Sequence, residues 1–260
     1  MRPLNFFIFF HDTTFQENTS EFTTKELSNY FTWFAVNQKI PKRNLSWIPQ
    51  DSLLYEYKLK IHSPLYQMTN FYQNSAFFHL YWNKEAINSK YIGFGQYDMK
   101  ISAPSMRELY SRIEKDTADK VIIAFPYCIE FLYSDLIPPH LWFTTFFIPY
   151  NAYYGTSHSI ATIEKIPLAL LHTFILPTWF FLHMMPFVEH LLPRILETLQ
   201  WDTRHLAGTL ERVFALCISC GIAEGKFREI IKLDGIEHIE NQHSEDNLRG
   251  IPAGSQHSLK

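Results

Sequence analysis

Apolar residues along this chain fall into short continuous runs separated by stretches with helical spacing. Leu4 to Phe10 (LNFFIFF) is apolar throughout and bounded by Pro3 and by His11-Asp12. It predicts a strand buried on both faces, as in parallel sheets. Thr24 to Val36 carries Leu27, Tyr30, Phe31 and Phe34 at helical spacing behind Thr23 or Thr24 as cap, and predicts a helix over 24–36. Gln38 to Ser63 is irregular and rich in Lys, Pro and Tyr, with a short strand expected near Leu53 to Tyr57. Asn70 to Asn83 sets Phe71, Phe78 and Trp82 on one helical stripe. Tyr91 to Gly95 (YIGFG) then reads as a short strand that ends at Gln96-Tyr97-Asp98-Met99.

Further on, Ser105 with Glu108 makes a capping box at the head of a helix reaching Lys115, and Lys120 to Pro126 (KVIIAFP) predicts another strand. Leu136 to Tyr154 is aromatic and proline-punctuated, read as loop and short helix, with a second short helix over 156–165. Leu170 to Leu176 predicts a strand. Thr178 to Leu199 predicts a long helix in which Pro186 and Pro193 are kinks or breaks. His205 to Cys220 is a well-patterned helix with Leu210, Val213, Phe214 and Cys217 on one stripe. From Leu233 the pattern stops. Strands alternating with helices over one core predict a single α/β domain over 1–232 with a mostly parallel central sheet, followed by a polar, flexible tail over 233–260.

Composition narrows what this domain can be. Of 260 residues, 47% are hydrophobic and 17% aromatic, which excludes a disordered chain. Only 9 residues are glycine, against about 7% in average proteins, and neither G-x-x-x-x-G-K-[ST] nor G-x-G-x-x-G occurs. Net charge is −3, so no basic face for nucleic acid is announced. Cys128, Cys217 and Cys220 are too few for a disulfide framework, and the simplest setting is reduced and cytoplasmic. The stretch Ile166 to Val188 has nearly spanning length, but it holds His172, His183 and three prolines; a buried strand and helix is expected there, not a membrane span.

In open α/β sheets ligands collect beyond the carboxyl ends of the strands. That rule selects His11 and Asp12 after the first strand, and Gln96, Tyr97 and Asp98 after YIGFG. Asp98 can hold a divalent ion that neutralises a diphosphate, or can simply terminate its strand. Glu211, near the start of its helix, can serve as a general base or can satisfy first-turn amides. His158, His172 and His205 lie in apolar surroundings, where a lone histidine is more often a core or rim residue than a ligand.

Five segments in order carry a family resemblance: FFIFFHD (6–12), QNSAFFHLYWN (73–83), YIGFGQYDM (91–99), HTFILPTWFF (172–181) and AGTLERVF (207–214). Together they resemble a glycosyltransferase-like family of polysaccharide-synthesis settings. Its members open with a strand ending in His-Lys and carry Glu-Leu-Thr-x-x-Tyr-Trp-x-Trp-Lys-Asn, then Tyr-Ile-Gly-Leu-x-His-Tyr-Arg-Arg. An Asn-x-Phe-Ile strand and Gly-Tyr-x-x-Glu-Arg-Leu follow. Here Gln73 replaces the Glu, Gln96 the His, and Asp98-Met99 the Arg-Arg. The Gln-Tyr-Asp-Met form is similar to variants in large DNA viruses and looks more like the metal motif of GT-A glycosyltransferases, reduced to one Asp.

The resemblance implies a single-domain GT-A (Rossmann-like) sandwich that moves a sugar from a nucleotide-diphosphate donor to a glycan or other hydroxyl acceptor. It implies that Asp98 holds Mn²⁺ or Mg²⁺, with His172 or His205 completing the shell. It places His11, Asp12, Gln73, Asn74, Gln96 and Tyr97 against the nucleotide-sugar, and makes Glu211 the base that takes the acceptor's proton. Aromatics over 142–154 suit stacking on sugar faces. The alternative is a catalytically degenerate module of the same fold that binds nucleotide or glycan, which the replaced Glu, His and Arg-Arg positions favour.

Overall fold

The computed structural model describes residues 2–11, 14–36, 45–117, 121–127, 139–166, 168–232 and 236–238. A seven-stranded sheet forms its centre. The strands are β1 (Arg2–Phe10), β2 (Phe31–Ala35), β3 (Leu53–Tyr55), β4 (Ser89–Gln96), β6 (Val121–Tyr127), β7 (Leu168–Pro177) and β8 (Glu229–Lys232), in the order β3-β2-β1-β4-β7-β6-β8. β3, β2, β1 and β4 run parallel; β7 is antiparallel to both its neighbours, and β6 pairs β8 in parallel. The sheet is therefore mixed but mostly parallel, as expected.

Side-chain alternation along β1 builds the two faces. Leu4, Phe6, Ile8 and Phe10 pack with α1 (Thr24–Tyr30) and α3 (Ala103–Lys115). Phe7 and Phe9 pack on the other side with α2 (Asn74–Trp82), α7 (Thr178–Thr198) and α8 (Leu206–Ala223). β1 is thus covered on both faces and accounts for the unbroken apolar run. The close fit appears at Gly93, over which the Phe6 ring lies. A Cβ there would sit 2.4 Å from Phe6 Cδ2 and 2.9 Å from Ile175 Cγ1. Gly93→Ala is expected to cost about 1–3 kcal/mol by overpacking, measured as a lowered denaturation midpoint at unchanged m-value.

Several elements depart from the sequence pattern. The helix expected over 24–36 stops at Tyr30, and Phe31–Ala35 is instead β2, in register with β1 through Phe6↔Phe31. Thr23 is its cap, in a reciprocal capping box with Glu26. α3 starts ahead of the expected Ser105 cap, with Pro104 in its first turn and Ser102 before it. α7 continues through both Pro186 and Pro193. The region expected as loop and short helix is mostly helical: α4 (Pro139–Trp142), a π-turn over Phe143–Phe147, and α5 (Ile148–Tyr154) closed by Gly155 at φ +68°. A last short helix, α6 (Ile160–Ile163), precedes β7. The described part of the expected tail, β9 (Ile236–His238), is a strand paired antiparallel with β5 (Met99–Ile101).

Ile166 to Val188 holds all of β7 and the first half of α7, the strand and helix expected of it. Among the described residues one helical stretch, Thr203–Ala223, is long and apolar enough to cross a membrane, and 67% of its most apolar window is buried within the fold. Cys217 and Cys220 are free and buried in α8, and burial pushes both thiols up from their ordinary range. Cys128 lies outside the described residues.

Candidate functional site

The carboxyl ends of β1 and β4 lie side by side, because Phe9 pairs with Gln96. His11 follows β1 and is half-buried, its ring edge-on to Tyr72 at 5.9 Å between centroids. Asp12 lies outside the described residues. Gln96 ends β4, and Tyr97 and Asp98 make the turn into β5. Tyr97 stacks on Phe15 at 6.2 Å, and its carbonyl accepts the Asn18 side-chain amide. Asp98 is only 4% exposed. A carboxylate so deep is costly to hold unless polar groups or a cation answer it, and the fold holds it at the edge where ligands collect.

β7 reaches the same edge from the opposite direction. Its last pair with β4 is Phe94↔Phe174, so Gln96 and His172 each lie two residues beyond it. Against β6 the register slips: Ala124 faces Phe174, yet Pro126 faces Ala169, leaving three more residues on β7 than on β6. His172 sits in this bulge at φ +49°, a left-handed conformation that costs an ordinary residue about 1–3 kcal/mol. The next residue, Thr173, donates to Met99 Sδ at 3.0 Å and ties the bulge to the residue after Asp98.

His172 is 2% exposed, beside the rings of Phe77 and Phe214. Burial lowers its pKa below the ordinary imidazole value, with the Glu211 charge pulling the other way. Its Nε2 lies 2.8 Å from Asn74 Oδ1, and Nδ1 has no hydrogen-bond partner among the described residues. Asn74, at the start of α2, is fully buried and gives its amide hydrogens to the carbonyls of Phe71 (2.9 Å) and Ala207 (3.3 Å). Asn74, expected against the nucleotide-sugar, thus has its polar atoms engaged by the protein. Gln73, the residue before it, is half-buried and makes no capping bond.

Glu211 is half-buried in the second turn of α8, one turn later than the position where it would satisfy first-turn amides. Its charge acts on His172 and on Arg212, whose Nη1 donates to Gly208 O at 2.9 Å. His205 is exposed on the turn before α8. Trp142 and Tyr150, expected among the sugar-stacking aromatics, are core residues at 0% and 2% exposure.

Sequence reasoning missed two exposed aromatics at this edge. Tyr72 (52% exposed, φ +48°) immediately precedes α2's first turn. Trp201 (66% exposed, φ +63°) lies in the α7–α8 connection beside Gln200 at φ +51°. Asn70 and Thr203 join the two segments by a side-chain hydrogen bond. Four of the five described non-glycine residues with positive φ thus belong to segments around one end of the sheet. A positive φ leaves no sequence signal in Tyr or Trp, so only the fold reveals it. A cleft of about 410 Å³, also unforeseen, opens beside the Gln16–Thr19 turn that holds Tyr97, lined among others by Thr19, Ser46 and Trp47. Its size suits a small-molecule site. A smaller one of about 240 Å³, around Arg2, Asn5 and Asp51, lies at the amino end of the strands.

Among the described residues no three His, Cys, Asp or Glu side chains converge as a ready metal cage. A hard cation such as Mg²⁺ prefers oxygen donors and often takes only one or two ligands from the protein. The buried Asp98 carboxylate and the orphaned His172 Nδ1 are donors suited to that mode.

The chain is thus a mixed, mostly parallel sheet between two helical layers, with polar residues at the carboxyl ends of its central strands. No family model matches the chain, and no curated protein sequence matches it. Among solved structures it is similar to the apo form of the WbbM bifunctional glycosyltransferase, with a TM-score of 0.61 and 10% identity over 92% of this chain and 45% of that one. The chain thus spans less than half of WbbM, and the likeness is one of fold. A second structure is glucosyl-3-phosphoglycerate synthase from Mycobacterium tuberculosis, in complex with Mg²⁺ and UDP. It aligns over 94% of this chain and 74% of its own with 6% identity and a TM-score of 0.40.

Proposed function

We propose that this chain is a glycosyltransferase that moves a sugar from a nucleotide-diphosphate donor to a glycan or other hydroxyl acceptor with the help of Mn²⁺ or Mg²⁺. What supports this reading is the position of Asp98 and His172, each beyond the last β4–β7 pair, with the charge of Glu211 acting on His172. In the transfer, the acceptor oxygen attacks the anomeric carbon, its proton passes to the Glu211 carboxylate, and the bond to the donor diphosphate breaks. A divalent cation at Asp98 would offset charge on the departing diphosphate. His11, Gln73, Gln96 and Tyr97 are the groups left to orient the donor. The free, buried Cys217 and Cys220 agree with a reducing, cytoplasmic setting.

Tyr72 and Trp201 are the acceptor platform in this reading, since each offers an open ring face to a sugar. Trp201→Ala is expected to raise the acceptor KM by about 2- to 10-fold with kcat and nucleotide affinity unchanged, read from steady-state kinetics. The reading itself is tested by giving the purified protein a panel of UDP- and GDP-sugars with Mn²⁺ and following nucleotide release with and without glycan acceptors. Release from one donor, stimulated by an acceptor, supports a transferase. Clear nucleotide binding without turnover supports a binding module of the same fold.

A further inference from the structure

The hydrogen bonds around Asn74 determine which nitrogen of His172 carries its proton. Asn74 Nδ2 faces two backbone carbonyls, Phe71 O at 2.9 Å and Ala207 O at 3.3 Å. Turning the amide over would set Oδ1 against both of them, so the orientation shown is the one the carbonyls allow. Asn74 Oδ1 is then an acceptor, and the His172 Nε2 it meets at 2.8 Å must be the donor. The proton is on Nε2, and Nδ1 keeps its lone pair with no partner among the described residues. At 2% exposure the ring has little water to exchange with, and the φ of +49° shows the backbone held against its preference to put the ring there.

We propose that Asn74 is a positioning residue, which locks His172 in its Nε2-protonated form so that the Nδ1 lone pair is what the bulge of β7 offers to a divalent cation. Histidines that bind metal ions are oriented this way as a rule, one nitrogen donating to a protein acceptor and the other left for the ion. Here the acceptor is an amide anchored at once to the start of α2 and the start of α8, so three elements around the site share one polar chain. An amide also adds no charge beside the imidazole, unlike the carboxylates that often do this work. The identity of the ion rests on the proposed function; the role of Asn74 does not.

The test is separate from catalysis. Long-range ¹H–¹⁵N spectra of the ligand-free protein, with His172 assigned by its disappearance in His172→Gln, report the protonated nitrogen directly. Wild type is expected to be protonated at Nε2. Asn74→Leu, which removes the acceptor, is expected to abolish the preference. Mn²⁺ affinity, followed by paramagnetic broadening, is expected to fall about 10- to 100-fold in Asn74→Leu. Protonation at Nδ1 in wild type overturns the proposal without any variant having to fold. So does a folded Asn74→Leu with unchanged spectrum and Mn²⁺ affinity. Wild type protonated at Nε2 that binds no Mn²⁺ would overturn the cation as the partner of Nδ1 while supporting the lock.

Discussion

Replacing Glu211 by glutamine is expected to lower kcat by about 10²- to 10⁴-fold while the affinity for nucleotide stays as it was. Glutamine keeps the size and planarity of the side chain but cannot take a proton. The residue is half-buried in the second turn of α8, and its charge reaches both His172 and Arg212, which places it beside the site without making it part of the donor's cradle. Steady-state nucleotide release gives kcat, and calorimetric titration with the nucleotide gives the affinity. Full activity in Glu211→Gln would exclude Glu211 as the base. Loss of nucleotide affinity together with turnover would mean that the carboxylate serves binding instead.

Asp98→Asn is expected to remove the metal-dependent part of nucleotide binding, weakening it by more than about 100-fold, since loss of a direct ligand exceeds the cost of losing an outer-shell partner. The substitution spares the volume of a side chain that is 4% exposed and removes only its charge. A variant that melts lower, yet binds Mn²⁺ and nucleotide like wild type, would make Asp98 a structural residue of the β4–β5 turn.

Most of the sheet was legible because its strands are apolar on both faces and announce themselves as continuous runs. β1 and β4 are the clearest cases. Thr24 to Val36 misled for a physical reason: Leu27, Tyr30, Phe31 and Phe34 satisfy a helical period, yet Phe31 to Ala35 gains more by pairing with β1 than by continuing the helix. β5, β8 and β9 are three or four residues long, too short for any period to show. The Leu136 to Tyr154 segment read as a loop because Pro139 and Pro149 punctuate it, though Pro149 falls in a helix's first turn, where it is tolerated.

The strand-end rule selected Gln96, Tyr97 and Asp98 from order alone, and they do lie where β4 ends and turns into β5. Asn74 and His172 were also selected, but 98 residues apart in sequence, and nothing in their neighbours joined them. Their pairing depends on a three-residue bulge, and Tyr72 and Trp201 depend on backbone angles. Both are decided by tertiary packing and leave no local signature.

A crystal structure grown with UDP and Mn²⁺, with diffraction data collected at the manganese edge, tests most directly the claim that the carboxyl ends of β1 and β4 form a donor site. An anomalous peak beside the Asp98 carboxylate and His172 Nδ1, with the diphosphate lying across it, is the expected outcome. Nucleotide and cation seated instead in the cleft around Arg2 and Asp51, at the other end of the strands, would contradict it.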